Sequence, residues 1–277
     1  MTVEHVRSAD GTRIAVESVG EGPPLVLTTG ALQDRAGVRL LARALADCAR
    51  VHVWDRRGRG DSDGVPDPRL DPVGADGDAL VAAEVADLAA VGAHAARAAR
   101  DGGVPVHYGH SAGAVLVLEA VLRGVPAARV VAHEPPWPLD GDPGGRRDVA
   151  AATTAALREG RDGDAAAAFL RGFPGVAPAP VERLRATSFW PRTAALAAAL
   201  PHDLALVARD PLPADRLAGL AVPLLVLDGG ASGPWAGAAV AAVAAAVPGA
   251  HRRTLPGQGH LVTPAVLAPV LAQFLDG

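Results

Sequence analysis

The stretch VHYGHSAGAVLVLEA (residues 106–120) places one serine between two glycines, at the join of two apolar runs. The first run is short and reads as a buried strand, and the second is long enough for a helix. GHSAG (109–113) fits G-x-S-x-G, a motif that gains meaning only from a strand before it and a helix after it. Such a turn strains the serine backbone, and flanking glycines let strand and helix approach without Cβ clashes. Ser111 is therefore expected at the carboxyl end of a sheet, where open α/β sheets bind ligands. The N–H groups of a helix starting at Ala112 would point at the same spot.

Outward from this turn the chain alternates strand and helix patterns. VEHVRS and RIAVESV, separated by ADGT, read as a hairpin. PPLVLTTG (23–30), RVHVWD (50–55), VPVHYGH (104–110), ARVVAHEPP (128–136), VPLLVLDGG (222–230) and HRRTLPG (251–257) read as strands. Helical spacing fills 38–49, 79–100, 112–124, 235–247 and 263–275. This alternation predicts an α/β fold: a mostly parallel sheet of about eight strands with helices on both faces. Residues 137–218 interrupt the rhythm with Asp/Gly/Pro loops and Ala-rich helical patches. A connection of that length must fold by itself, so it is read as an inserted helical cap over a core of 1–136 and 219–277.

Bulk properties bound the function. With 277 residues and 49% apolar composition, a sizeable core can be buried. The net charge is only −4, so no nucleic-acid partner is expected. All 26 basic residues are Arg, which together with the Ala, Gly and Pro content reads as coding bias rather than function. The lone Cys48 excludes an intramolecular disulfide and a cysteine-based zinc cluster. The N-terminus lacks the pattern of a signal peptide, and the uncharged stretch 229–250 is a poor membrane span. A soluble cytoplasmic protein with no membrane partner is expected.

A serine nucleophile needs a base, and the base needs an orienting group. Nine histidines compete. His52, His107 and His133 lie in predicted strands and His94 in mid-helix, while His5, His202 and His251 read as surface positions. His110 adjoins the serine, with a ring expected to turn away from the hydroxyl. His260 differs: it follows LPGQG, a glycine-rich loop after the last strand, and so stands at the carboxyl edge of the sheet.

With these residues in place the chain resembles the α/β-hydrolase superfamily over nearly its whole length. DRRGRGDS (55–62) resembles that family's D-x-R-G-x-G-x-S loop. TTG (28–30) stands where the family has His-Gly before its oxyanion loop, and GQGH (257–260) matches its histidine loop. TGALQDRAG, HEPP and LDGGAS add a likeness to small bacterial hydrolases of undefined substrate. The resemblance implies an oxyanion hole from the amides of Ala31 and Ala112, with Asp55 and the arginines after it bracing loops. The sequence departs from the family at the acid. Ser232 occupies the usual acid position, with Asp228 four residues earlier. Some members carry the acid after the preceding strand, which here is Glu134. Glu134 is the favoured acid and Asp228 the alternative.

The aspartate nucleophile of the family's haloalkane dehalogenases and epoxide hydrolases is replaced by Ser111, which points to acyl chemistry on an ester, thioester or lactone. Lyase, cyclase or perhydrolase chemistry on the same fold, or ligand binding at a relic site, are the competing readings. No dinucleotide fingerprint, phosphate loop or metal-ligand cluster occurs, so no cofactor or metal is expected. The partner expected is a small apolar or amphiphilic substrate. Leu32, His110, Trp137, Phe169, Phe173, Phe189 and Trp190 are the candidates for its pocket, with the bland alternative that the aromatics fill the cap's own core.

Overall fold

The apolar runs of the sequence become a single eight-stranded sheet, seen in a computed structural model that describes residues 2–99, 103–139, 144–172 and 178–276. The strands are β1 (Val3–Arg7), β2 (Arg13–Val19), β3 (Pro24–Thr28), β4 (Arg50–Trp54), β5 (Val106–His110), β6 (Arg129–His133), β7 (Leu224–Gly229) and β8 (His251–Leu255). Their order is β1-β2-β4-β3-β5-β6-β7-β8. The pairings β1–β2 and β2–β4 are antiparallel, and every pairing from β4 through β3 to β8 is parallel. β3 and β5 are buried along their whole length, as strands in the middle of a sheet covered on both faces must be.

Helices cover the two faces and divide the core in two. On one side, α2 (Gly77–Ala98), α3 (Ala112–Leu122) and α10 (Pro234–Ala246) pack over Val26, Val130 and Val226. On the other, α1 (Arg39–Ala44) and α11 (Pro264–Asp276) pack over Leu27, Val131 and Leu227. The helix expected over 38–49 is shorter than its pattern: Val38 belongs to a 3-10 turn capped by the Asp34 carboxylate, and the helix ends at Ala44, with 45–48 in turns. Between β6 and β7 the described chain is helical: α4 (Gly144–Arg158), α5 (Asp162–Gly172), α6 (Pro178–Arg185), α7 (Trp190–Ala195), α8 (Leu200–Val207) and α9 (Ala214–Leu217). α5 packs on both α4 and α7, whereas α8 packs down on α2 and α3.

Buried ion pairs tie α8 to the sheet. Arg56, just after β4, bonds Glu84 of α2 and lies 2.8 Å from Asp203 of α8. Arg59 lies 2.6 Å from Asp203 and 3.3 Å from Glu84. Arg57 pairs with Asp87 at 2.7 Å and Asp10 at 3.0 Å. Burial pushes the Glu84 carboxyl up, but the Arg56 and Arg59 guanidiniums outweigh it and hold the group down at about 2. Each buried charge is thus met by an opposite one, the condition under which such charges are tolerated. Asp55 accepts from the Arg35 guanidinium and from the amides of Arg35 at 2.7 Å and Asp61 at 2.9 Å, so this loop is braced by its own charges. α2 is the one described helix long and apolar enough to cross a membrane. Half of that stretch is buried in the fold, with Glu84 and Asp87 inward.

His202, expected at the surface, is buried on α8 beside this cluster. It belongs to a set of interior imidazoles. Burial above all pushes His52, His107, His133 and His202 down to about 4, and His110 well below its ordinary value. The unfolded chain binds protons at these sites near the ordinary imidazole value while the folded chain does not. Stability is therefore full above that value and declines as pH falls toward about 4, each histidine adding a slope of about 1 kcal/mol per pH unit. Urea denaturation should show a steep fall in midpoint between about pH 7.5 and about pH 5; a flat profile would contradict neutral interior histidines.

Candidate active site

Three non-glycine residues among those described have positive φ: Leu32 at 54°, Ser111 at 55° and Glu134 at 48°. All three follow the carboxyl ends of neighbouring strands β3, β5 and β6. Backbone strain gathered at one rim of a sheet is a mark of a working site.

Ser111 sits at the turn from β5 into α3, with ψ −124°. Its N–H donates to the His133 carbonyl at 2.8 Å, and its carbonyl accepts from Ala114 at 2.8 Å. The turn is as tight as its glycines predict: a methyl at Gly113 would press on the Thr29 carbonyl, and one at Gly109 on the Gly113 backbone. Gly30 is equally close, since a Cβ there would lie 3.0 Å from the Ser111 Cβ. The segment after β3 is thereby brought beside the serine, with Ala31 next to it. Ala112 opens α3, so its N–H has no partner within the helix.

His260 reaches the same rim from the loop after β8. That loop is stitched to the end of β7 by Gly230 N–H to the Leu255 carbonyl at 2.8 Å and Ala231 N–H to the Gln258 carbonyl at 2.8 Å. Gly229 allows the stitch, because a side chain there would collide with the backbone of Gln258 and Gly259. The ring of His110 lies 4.5 Å from that of His260, and its Nε2–H donates to the His260 carbonyl at 2.9 Å. His260 thus stands over the residue adjoining Ser111. The Ser111 hydroxyl makes no hydrogen bond to His260 among the described residues; the two are brought to one rim without being joined.

Of the two candidate carboxylates, Glu134 is the one bonded to His260. Glu134 is fully buried, and its Oε2 accepts from His260 Nδ1 at 2.5 Å. Its Oε1 accepts from the Gly229 amide at 2.7 Å and from Ser232 Oγ at 2.6 Å. The serine at the position where the sequence resemblance expects an acid thus donates to this carboxylate. Burial pushes the Glu134 carboxyl up, but the bonds from His260, Gly229 and Ser232 outweigh it and keep the group below its ordinary value. Asp228 faces the other way: it accepts from Thr254 Oγ1 at 2.9 Å and lies 3.5 Å from Arg252. Trp235, at the start of α10, packs edge-on at 5.5 Å from the His260 ring. Trp235 carries no sequence signal beyond being an isolated aromatic at the head of the helix expected over 235–247.

The expected pocket residues separate. His110 lies under the His260 ring, and Leu32 is half-buried at the strained end of β3. Trp137 does not wall the hydroxyl. It is buried with Ala205 and Leu206 in a cleft shared with Glu119 and Arg123, about two to three turns along α3 from Ser111. Phe169 is buried in the core of the helical insert, and Phe189 is 72% exposed with its ring in solvent rather than over the serine. Trp190 packs partly on that core beneath the Arg185 guanidinium, 5.6 Å away. Helix packing within the insert claims these rings, which is why the spacing alone did not place them. Phe173 lies outside the described residues. Among the described residues no cluster of three or more His, Cys, Asp or Glu is arranged to hold a metal.

Comparison with known proteins agrees with this fold. The model of the alpha/beta hydrolase family matches residues 25–270. The crystal structure of an alpha/beta hydrolase from Sphaerobacter thermophilus is 39% identical over 98% of this chain and 100% of that one, with a TM-score of 0.86. A hydrolase from Pseudomonas aeruginosa is 24% identical over 100% and 99% of the two chains, with a TM-score of 0.71. An esterase from Exiguobacterium antarcticum is 17% identical over the full length of both chains, with a TM-score of 0.73. No curated protein matches the sequence. The chain belongs to the alpha/beta hydrolase family.

Strain at Ser111 is directly measurable. Ser111→Gly should raise stability by about 1 kcal/mol in urea denaturation, because glycine tolerates φ near 55°. An unchanged or lower midpoint would show that the turn is relaxed.

Proposed function

We propose that this chain is a serine hydrolase of small apolar or amphiphilic carboxylic esters, thioesters or lactones, working through an acyl-enzyme. The observation that carries the reading is the 2.5 Å bond from His260 Nδ1 to the buried, ionised Glu134, set beside a serine held at positive φ. Because Nδ1–H donates to the carboxylate, Nε2 carries a free lone pair and is the base.

In the proposed cycle Ser111 Oγ attacks the carbonyl carbon as its proton passes to His260 Nε2. The carbonyl oxygen becomes an oxyanion facing the amides of Ala31 and Ala112. The carbon–oxygen or carbon–sulfur bond to the leaving group breaks, and His260 returns the proton to the departing atom. Water, deprotonated by His260, then attacks the acyl-serine, and the proton goes back to Ser111 as the acid product leaves. Glu134 fixes the imidazole tautomer and stabilises the imidazolium, while Ser232 and Gly229 hold Glu134. The helices α4 to α7 are the proposed cap that shields the acyl-enzyme from bulk water. The esterase from Exiguobacterium antarcticum shows that this fold hosts ester hydrolysis; the chemistry of the Ser111 rim, not the likeness, carries the assignment.

Steady-state kinetics on p-nitrophenyl esters test it. Glu134→Gln should lower kcat by about 100-fold or more with KM little changed, as loss of an orienting acid does. Asp228→Asn should stay within about threefold of the wild type, since its partners are Thr254 and Arg252. The reverse order of effects would overturn the assignment of Glu134.

A further inference from the structure

Residues 258–263 form neither helix nor strand, and His260 sits in the middle of them. Among the described residues the His260 backbone makes one hydrogen bond: its carbonyl accepts from His110 Nε2 at 2.9 Å. The His110 ring makes no other hydrogen bond among the described residues. A carbonyl oxygen can only accept, so Nε2 carries the His110 proton. Burial above all, then the neighbouring His260 and His133, hold His110 well below its ordinary value. The ring is therefore neutral, with a lone pair on Nδ1.

An apolar side chain could be buried at this strand end without loss, whereas an imidazole gives up its hydration there. The bond to the His260 carbonyl offsets that loss. The ring is also held from behind. His110 and His133 are direct partners in the parallel register of β5 and β6, and their rings are 5.0 Å apart. Tyr108, two residues before His110 and so on the same face of β5, has its Oη 2.8 Å from His133 Nδ1. Burial, and then the Glu134 charge, push the Tyr108 phenol up, so it keeps its proton and donates it to Nδ1. Tyr108, His133 and His110 thus stand in a row at the end of the sheet, and the His260 ring lies 4.5 Å from the last of them.

We propose that His110 is a positioning residue for the base: its Nε2–H tethers the backbone of the His260 loop, so that the ring, already bonded to Glu134 at Nδ1, presents Nε2 in one direction. This rests on the reading of His260 as the base, and it gives His110 a role other than contact with the substrate. Held by Glu134 alone, the imidazole could pivot about the Nδ1 bond, because the chain around it has no regular structure. With the carbonyl fixed as well, that pivot is closed. Misplacing a reacting group by about an ångström costs up to about 100-fold in rate, so the tether acts on turnover more than on binding.

NMR of the full chain with ring-labelled histidine, together with two variants, tests the tether. In the wild type the His110 nitrogen shifts should report a protonated Nε2 and a bare Nδ1, with no titration down to about pH 5. His110→Gln keeps an N–H that can reach the carbonyl, and His110→Leu removes it at similar volume. On p-nitrophenyl esters His110→Leu should lower kcat about tenfold or more with KM changed less than about twofold, while His110→Gln stays within about threefold of the wild type. Ring-carbon relaxation at His260 reads the same effect without turnover: the ring should be as rigid as the sheet in the wild type and in His110→Gln, and mobile in His110→Leu. A wild type that is inert toward esters would remove the proposed function, and the relaxation and tautomer measurements would still decide the tether. If His110→Leu does not fold, the tautomer and His110→Gln decide it. The proposal fails if Nδ1 carries the His110 proton, if folded His110→Leu keeps the wild-type kcat, if His110→Gln loses about tenfold or more in kcat, or if the His260 ring is equally rigid in all three proteins.

Discussion

One carboxylate holds the rim together. Glu134 leaves β6 in a strained conformation and accepts three hydrogen bonds: from His260 on the loop after β8, and from the Gly229 amide and the Ser232 hydroxyl at the end of β7. Ends of three adjacent strands are thereby fixed to one buried charge. A buried carboxylate without these donors would be expensive, so the same bonds that orient the imidazole also make the charge tolerable. The glycines at 229 and 230 let the β7 and β8 loops close over it. Serine and imidazole come to the same edge because β5 and β6 are neighbours, with His110 lying between them and the His260 loop.

A second, larger set of charges lies below. Arg56 bonds Glu84 and Asp203 and reaches the Thr29 carbonyl at 3.4 Å, one residue before Gly30. The loop after β4, the long helix α2, the late helix α8 and the strand end that precedes Ala31 thus share one buried guanidinium. The geometry at residues 30 and 31 depends on contacts made with a residue 147 positions from Arg56 in the chain. Packing of α8 onto α2 and α3 closes this layer, and α4 packs on α8 in turn.

The parallel sheet was legible because its strands other than β8 are short, largely apolar runs bounded by Gly, Pro or Asp; β8 is polar and exposed at four of its five residues. Ser111 was legible because glycines on both sides of a lone serine have a steric purpose that the packing against Thr29 makes plain. His260 was legible from its position after the last strand. The carboxylate partner of His260 was half legible. Ser232 at the expected acid position leaves Glu134 and Asp228 as candidates, and only the register of β6 against β7 brings Glu134 to His260 and Asp228 to Thr254. Burial of His202 and the Arg56–Asp203 pair were not legible, since nothing local distinguishes them from a solvated helix end. The aromatic rings of the insert failed for the same reason: helical spacing shows which residues share a face, not what that face meets.

Covalent trapping of the serine addresses the whole arrangement at once. A fluorophosphonate reacts with a hydroxyl only where a base removes its proton and amides receive the charge on the phosphoryl oxygen. Peptide mapping by mass spectrometry after such treatment should find one stoichiometric adduct, on Ser111, and none in His260→Gln protein that remains folded. An unmodified Ser111 in folded native protein would contradict the account.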